Sequence, residues 1–482
     1  MGRRQFLRLA AKNHNRGTRI GAPRNSYDHP ITHLSTSASD RTTAWIADMA
    51  WLGGPDLVSD VTIKERGGTI VSLSTETHDP EAGRLSGIVL PGLVNAHSHA
   101  FHRLLRGRSH RQGGDFWLWR EKLYEIARSL PPDGDERLAT AVYTEMALAG
   151  VTTVSEFHYL HHQMSGAPYS DPNEMGHALV RAARNAGIRI CLLDAGYFAA
   201  GFDDGPLDPV QTRFSDGSAE AWLDRVEALW AAHEDDEDVV IGLAPHSVRA
   251  VPESAHVTLV DRVHEGTPVH IHVSEQPAEN RECLEATTLT PVGVLERVGV
   301  LGVDTTLIHC THLTGNDIDL VGRSGSMVCY CATTERDLAD GIGPARDLYE
   351  SGAALCVGTD SHAVIAVFEE ARGIELHTRL ASGRRGSFSP EELMTTATTA
   401  GSRALGFRPI GLEVGAPADF VVVDNDTPRL AGVDEGPLLD SVVYSASAAD
   451  VTDVFVAGRR IVTGGEHAAW DEAKRALSDP LR

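Results

Sequence analysis

Three things are scarce in this sequence, and each scarcity excludes something. Six cysteines in 482 residues are too few for a disulfide framework. Four of them, Cys310, Cys329, Cys331 and Cys356, lie in apolar runs that read as strands, so buried thiols in a reducing compartment are the plain reading. Cys329 and Cys331 would share a strand face, which leaves a metal role open, although no second cysteine pair accompanies them. No apolar run approaches the roughly 20 residues that span a bilayer. Positive charge is short too. There are 43 Lys and Arg against 67 Asp and Glu, a net charge of −24, which argues against a nucleic-acid partner, since phosphate binding needs clustered cations. The expectation is a cytoplasmic protein with no membrane and no nucleic-acid partner.

The first forty residues differ from the rest, being rich in Lys and Arg with only Asp28 and Asp40 as acids. GRRQFLRLAA looks like the opening of a twin-arginine signal, but KNHNRGTRIGAPRN follows it where an apolar segment would be needed. Residues 1–42 are therefore expected to be a flexible tail.

From about residue 88 short apolar, β-branched runs alternate with longer helical stretches. The runs cover 88–97, 151–157, 188–196, 239–247, 268–275, 305–312, 326–334 and 354–362. Strand–helix alternation points to parallel βαβ units, and eight of them to an α/β fold, a (β/α)8 TIM-like barrel, over residues 88–407. The flanks, 43–87 and 408–466, alternate in strand fashion between glycine turns. They are expected to form one small β-sandwich domain from both ends of the chain, with 467–482 as a C-terminal segment.

Most of the eight runs end in residues that can do chemistry: His97 and His99, Glu156 and His158, His246, His272 and Glu275, His309 and His312, Asp360. Barrel enzymes build their sites at the C-terminal ends of the strands. Strand residues i and i+2 share a face, so His97 and His99 can aim at one ion while Ser98 points away. A lone His-x-His is equally compatible with two structural histidines. His272 and Asp360, at the ends of later strands, are the ligands that would complete a zinc site, which takes imidazole nitrogen and carboxylate oxygen. Three histidines in EFHYLHH exceed what one site needs, so His158, His161 and His162 are read mainly as packing, as are His312 and Cys310.

With HSH on the first strand, H-x-x-E on the fifth, His on the sixth and TDSH on the eighth, the sequence resembles the amidohydrolase superfamily along nearly its whole length, and within it the aminohydrolase branch, which deaminates C=N bonds. HSHAF-x-R, FW-x-WR, EFHY-x-HH, HS-x-RAV, H-x-x-EQ and DGI-x-P are similar to the N-formimino-L-glutamate deiminases of histidine degradation. The resemblance implies one Zn2+ per subunit on His97, His99, His272 and Asp360. It implies Asp360 as the group that takes the water's proton, His309 as the group that orients the nucleophile, and Glu275 as the acid that protonates the leaving nitrogen. It assigns Arg120, Tyr159, His246 and Arg249 to the carboxylates of a small-molecule substrate, with His102 beside them. It also implies a homodimer. Many amidohydrolases bridge two ions with a carboxylated lysine. No lysine stands between Lys122 and Lys474, which favours a single ion.

The pattern departs in places. The family has Gln where this chain has His102; its Ser-Thr-Glu reads Thr333-Thr334-Glu335; and Arg336 stands where a small residue is expected. Two other readings are open: a deaminase of a nucleobase or another amidine, and a non-catalytic barrel scaffold. A neutral base needs no carboxylate clamp, and a scaffold needs no complete ligand set.

Overall fold

The computed structural model describes residues 41–76, 80–108, 116–202, 205–433 and 438–478. The tail expected over 1–42 lies outside the described residues except for positions 41 and 42. In chain order the strands are β1 (Thr43–Trp51), β2 (Leu57–Arg66), β3 (Thr69–Ser74), β4 (Gly83–Pro91), β5 (Leu93–Asn95), β6 (Val151–His158), β7 (Arg189–Gly196), β8 (Val239–Pro245), β9 (Val269–Val273), β10 (Thr305–His309), β11 (Met327–Tyr330), β12 (Ala354–Val357), β13 (Phe420–Val423), β14 (Val451–Val456), β15 (Arg459–Thr463) and β16 (Glu466–His467). Strands β5 to β12 lie side by side in sequence order, all parallel. Helices such as Glu174–Ala186 and Ala219–His233 fill the crossovers. The first ends on Gly187 in the left-handed region (φ 75°), the usual glycine stop. In the second the Ser218 side chain caps the start by accepting from Ala221 N. Strands β5 to β7 are buried along their whole length, as parallel strands covered on both faces are.

The barrel closes between its first and last strands. Ala96 N donates to Val357 O (2.8 Å), Asp360 N to His97 O (3.0 Å) and His99 N to Asp360 O (3.2 Å). Ser98 and Asp360 pair as parallel neighbours. The seam thus runs through the candidate ligands themselves.

Both flanks contribute to one mixed sheet in the order β16-β15-β14-β13-β4-β1-β2-β3. The two flanks, expected as one small β-sandwich domain, supply this single mixed sheet, and its β3 edge is tied to the segment before β13. Ile70 N donates to Ala416 O (2.9 Å), and Trp45 packs against Phe420 and Phe455 with ring centroids 5.5 and 5.2 Å away. One boundary differs from the sequence reading. Ile88 and Val89 pair with β1 and β13, so the run 88–97 is two strands, the first in the flank sheet and only the second in the barrel. The break is at Gly92, where a Cβ would lie 2.2 Å from Thr152 Oγ1. Both halves are buried, so hydrophobicity alone does not show the division. Among the described residues no helix is long and apolar enough to cross a membrane.

Candidate metal centre

His97 and His99 leave the end of β5 in extended backbone, and their alternation sends the Ser98 side chain the other way. His97 Nε2 is 3.4 Å and His99 Nε2 3.6 Å from Asp360 Oδ1. His272 Nε2, from β9, is 3.2 Å from His97 Nε2. All four side chains are buried. The four residues predicted as ligands are therefore brought to one point from three strands.

The donor set fits a divalent cation. His99 Nδ1 faces Phe157 O at 2.9 Å and His272 Nδ1 faces His246 O at 3.0 Å. A carbonyl only accepts, so in both rings the proton sits on Nδ1 and the Nε2 lone pair points into the cluster. Burial holds both imidazoles well below their ordinary pKa, and neighbouring histidines add to this, which keeps them neutral. Asp360 stays well below the usual carboxylate range: burial opposes its charge, but His97 and the other histidines outweigh that. His97 Nδ1 is buried without a hydrogen-bond partner. Two fixed lone pairs and a carboxylate converging among buried side chains call for a positive charge between them.

Beside this cluster lies a second set of groups. His309 Nε2 is 3.9 Å from both Glu275 Oε1 and Asp360 Oδ2, and His309 Nδ1 is 3.5 Å from Glu335 Oε1. Burial would lower the His309 pKa, but these three carboxylates reverse the shift and raise it to about 10. Burial raises Glu275, with His309 opposing. Glu335 was not singled out by the sequence. Its signal was available in Thr333-Thr334-Glu335, one short turn after β11, where Cys331 N donates to Glu335 Oε1 at 3.0 Å.

The residues expected to hold substrate also gather here. His102 Nε2 is 2.7 Å from the Tyr159 hydroxyl, and its ring stacks on His99 with centroids 4.4 Å apart. The His246 ring lies 5.0 Å from His272 and 6.0 Å from Tyr159. Burial lowers the His246 pKa, and the guanidinium groups of Arg249 and Arg120 lower it further. Arg249 Nε is buried without a partner. Arg120 Nε donates to the Tyr124 hydroxyl (2.9 Å). Tyr124 and Tyr197 in turn accept from the buried Gln211 amide at 3.1 and 2.9 Å. Neither Gln211 nor Tyr197 carries a motif that would mark it.

The other histidine-rich stretch does not join the centre. His158, His161 and Asp194 come close enough to hold an ion. Arg225, however, takes both Asp194 oxygens (2.7 and 2.8 Å), Trp222 Nε1 donates to one of them (2.8 Å), and His161 Nε2 is spent on Ala195 O (2.8 Å). With its cation supplied by arginine, this group is packing. All six cysteines are buried and free, and among the described residues no donor cluster of three or more includes one.

Residues 88–461 match the family model described as the amidohydrolase family. Formimidoylglutamate deiminase of Pseudomonas aeruginosa is 37% identical over 86% of this chain and 93% of its own length. A 5-methylthioadenosine/S-adenosylhomocysteine deaminase of Halobacterium salinarum is 30% identical over 86% of this chain and 90% of its own. The crystal structure of an amidohydrolase from Brucella melitensis superposes with a TM-score of 0.85 at 33% identity, covering 91% of this chain and 99% of that one.

Proposed function

We propose that this chain, which belongs to the amidohydrolase family, hydrolyses N-formimino-L-glutamate to N-formyl-L-glutamate and ammonia using one zinc ion per subunit. The observation that carries the substrate is Arg249. Its Nε is buried without a partner, and its charge bears on His246 and Glu275 beside the His97–Asp360 cluster. A buried guanidinium edge left open next to a reaction centre is a place for a substrate anion. Arg120 bears on His246 as well, a second positive charge near the place of a substrate with two carboxylates. The 37% identity to formimidoylglutamate deiminase supports the same substrate. The 30% identity to a methylthioadenosine deaminase supports a purine amidine instead, but a neutral base would offer no anion to the open Arg249 Nε.

Three imidazole nitrogens and a carboxylate suit zinc. Bound by His97, His99, His272 and Asp360, it would supply Lewis-acid activation of a water. The chain's own groups do the rest. Asp360, an ionised carboxylate, accepts a proton from the attacking water. His309, held cationic by Glu275, Glu335 and Asp360, stabilises the negative charge left on the oxygen as its proton is removed and orients that oxygen toward the amidine carbon. Glu275, a carboxyl raised by burial, gives a proton to the amidine nitrogen. The proton held by Asp360 then passes to the resulting amino group, the new hydroxyl gives its remaining proton to Glu275, and the carbon–nitrogen bond breaks: ammonia leaves, the water oxygen remains as the formyl oxygen, and both carboxyls return to their starting states. The test is to incubate zinc-loaded protein with N-formimino-L-glutamate and follow ammonia together with the formyl proton of N-formyl-L-glutamate by NMR. Stoichiometric appearance of both is expected. Deamination of 5-methylthioadenosine with none of the formimino compound would overturn the substrate.

A further inference from the structure

Behind the metal centre runs a closed polar chain whose members are all buried. Asn95 Nδ2 donates to Thr359 Oγ1 at 2.7 Å, while Thr359 N donates to Asn95 Oδ1 at 2.9 Å. Thr359 Oγ1 is 2.8 Å from His362 Nδ1, and His362 Nε2 is 2.9 Å from Ser98 Oγ. Ser98 Oγ donates to Glu156 Oε2 at 2.7 Å, and Glu156 Oε1 accepts from Ala100 N at 2.7 Å.

Only one ordering of protons satisfies every contact. The backbone N–H of Thr359 fixes Asn95 with its oxygen toward Thr359 N, so the Asn95 amide must donate to Thr359 Oγ1. That hydroxyl then gives its own proton to His362 Nδ1. The ring carries its proton on Nε2 and donates to Ser98 Oγ, and Ser98 donates to Glu156. Run the other way, the Thr359 hydroxyl would receive two donors and have no acceptor for its own proton. The chain therefore has a single direction, from Asn95 to Glu156.

Its members alternate with the metal donors. Ser98 lies between His97 and His99, and Thr359 and His362 bracket Asp360. Both Asp360 (φ 41°) and His362 (φ 56°) sit in the left-handed region, which a non-glycine residue keeps only when its surroundings hold it there. Arg103 adds a bond to His362 O. The backbone hydrogen bonds of the barrel seam, Asp360 N to His97 O and His99 N to Asp360 O, lie between these side-chain anchors.

We propose that Glu156 and His362, acting through Ser98, are positioning residues that hold the β5 and β12 ends in register, so that His97, His99 and Asp360 present their donors to one ion. Neither touches the ion or the substrate. The inference rests on the metal reading above, and its test separates the two. Zinc affinity is measured by competition with a chromogenic chelator in wild type, Glu156→Gln, His362→Gln and Ser98→Ala, and the visible spectrum of each cobalt(II)-loaded protein is recorded.

Glu156→Gln changes no volume but brings an NH2 against either Ala100 N–H or Ser98, and so breaks the proton order. Ser98→Ala removes one oxygen from the middle of the chain and is the milder perturbation, used where Glu156→Gln does not fold. Residues that support metal ligands in this way typically account for about 10–100-fold in affinity. A loss of that size is expected in each folded variant, with altered cobalt absorption and unchanged far-ultraviolet circular dichroism. Affinity and cobalt spectrum unchanged from wild type in Ser98→Ala and in either other variant would overturn the inference while leaving the metal reading intact. Wild-type protein that binds neither ion would overturn both.

Discussion

His272 presents the Nε2 lone pair to Nε2 of His97 across 3.2 Å, because its own Nδ1 is committed to the carbonyl of His246. Two ring nitrogens that face each other in a buried pocket, with Asp360 a further 3.4 Å from one of them, form an electron-rich cluster that a cation would complete.

The first prediction is that Asp360→Asn and His272→Ala lose bound zinc, measured as metal per protein after dialysis, with a near-stoichiometric wild type as reference. An ion present at about 100 times its dissociation constant adds about 2.7 kcal/mol of stability. Chelation should therefore lower the melting temperature of wild type and leave that of the two variants unmoved.

The second prediction separates the packing histidines from the metal histidines. Asp194 pairs with Arg225 in the interior, and removing one partner of such a pair costs on the order of 3 kcal/mol. Asp194→Ala should lower the melting temperature strongly and leave metal content at the wild-type level. Loss of zinc in this variant would assign His158 and His161 to the metal after all.

The third prediction concerns acid stability. Burial opposes the charge on Asp450, but Arg429, with Nε 2.7 Å away, outweighs it and brings the pKa down to about 2 from an ordinary 3.8. A carboxyl depressed by folding stabilises the native state above its unfolded pKa and loses that contribution as pH falls through its folded one. Asp450→Asn should therefore be less stable than wild type at pH 7. The difference should close between about pH 4 and pH 2, followed by denaturant unfolding at each pH.

The fourth prediction concerns the anion clamp. Truncating one member of a buried charged pair costs about 2–5 kcal/mol. Arg249→Ala should accordingly lower kcat/KM for N-formimino-L-glutamate by a factor of about 30 or more, chiefly through KM, without changing zinc content. Arg249→Lys should restore little, since an ammonium lacks the planar fork. An unchanged KM in Arg249→Ala would remove this residue from substrate binding.

The barrel was legible because its strands are short apolar runs, most of them followed by a polar residue with chemistry, and that coincidence survives without any knowledge of packing. The positions of His97, His99, His272 and Asp360 followed from the same logic. What escaped was set by contacts between residues far apart in the chain. Position 92, between the two strands, has to be glycine because Thr152 leaves no room for a Cβ, and nothing near residue 92 announces Thr152. Glu156 could be seen as a strand-end carboxylate, but its tie through Ser98 to His362 spans more than two hundred residues. Gln211 acts by where the fold brings it, between Tyr124 and Tyr197, and not by any local pattern, whereas Glu335 stood in a visible Thr-Thr-Glu stretch whose place opposite His309 only the fold shows.

The central claim is tested most directly by the ratio of kcat/KM for ammonia release from N-formimino-L-glutamate to that from 5-methylthioadenosine, measured on the zinc-loaded wild type. A ratio far above one is predicted, falling toward one in Arg249→Ala as the dicarboxylate loses its partner. A ratio below one in wild type, unmoved by Arg249→Ala, would contradict the assignment and leave a zinc deaminase acting on a purine.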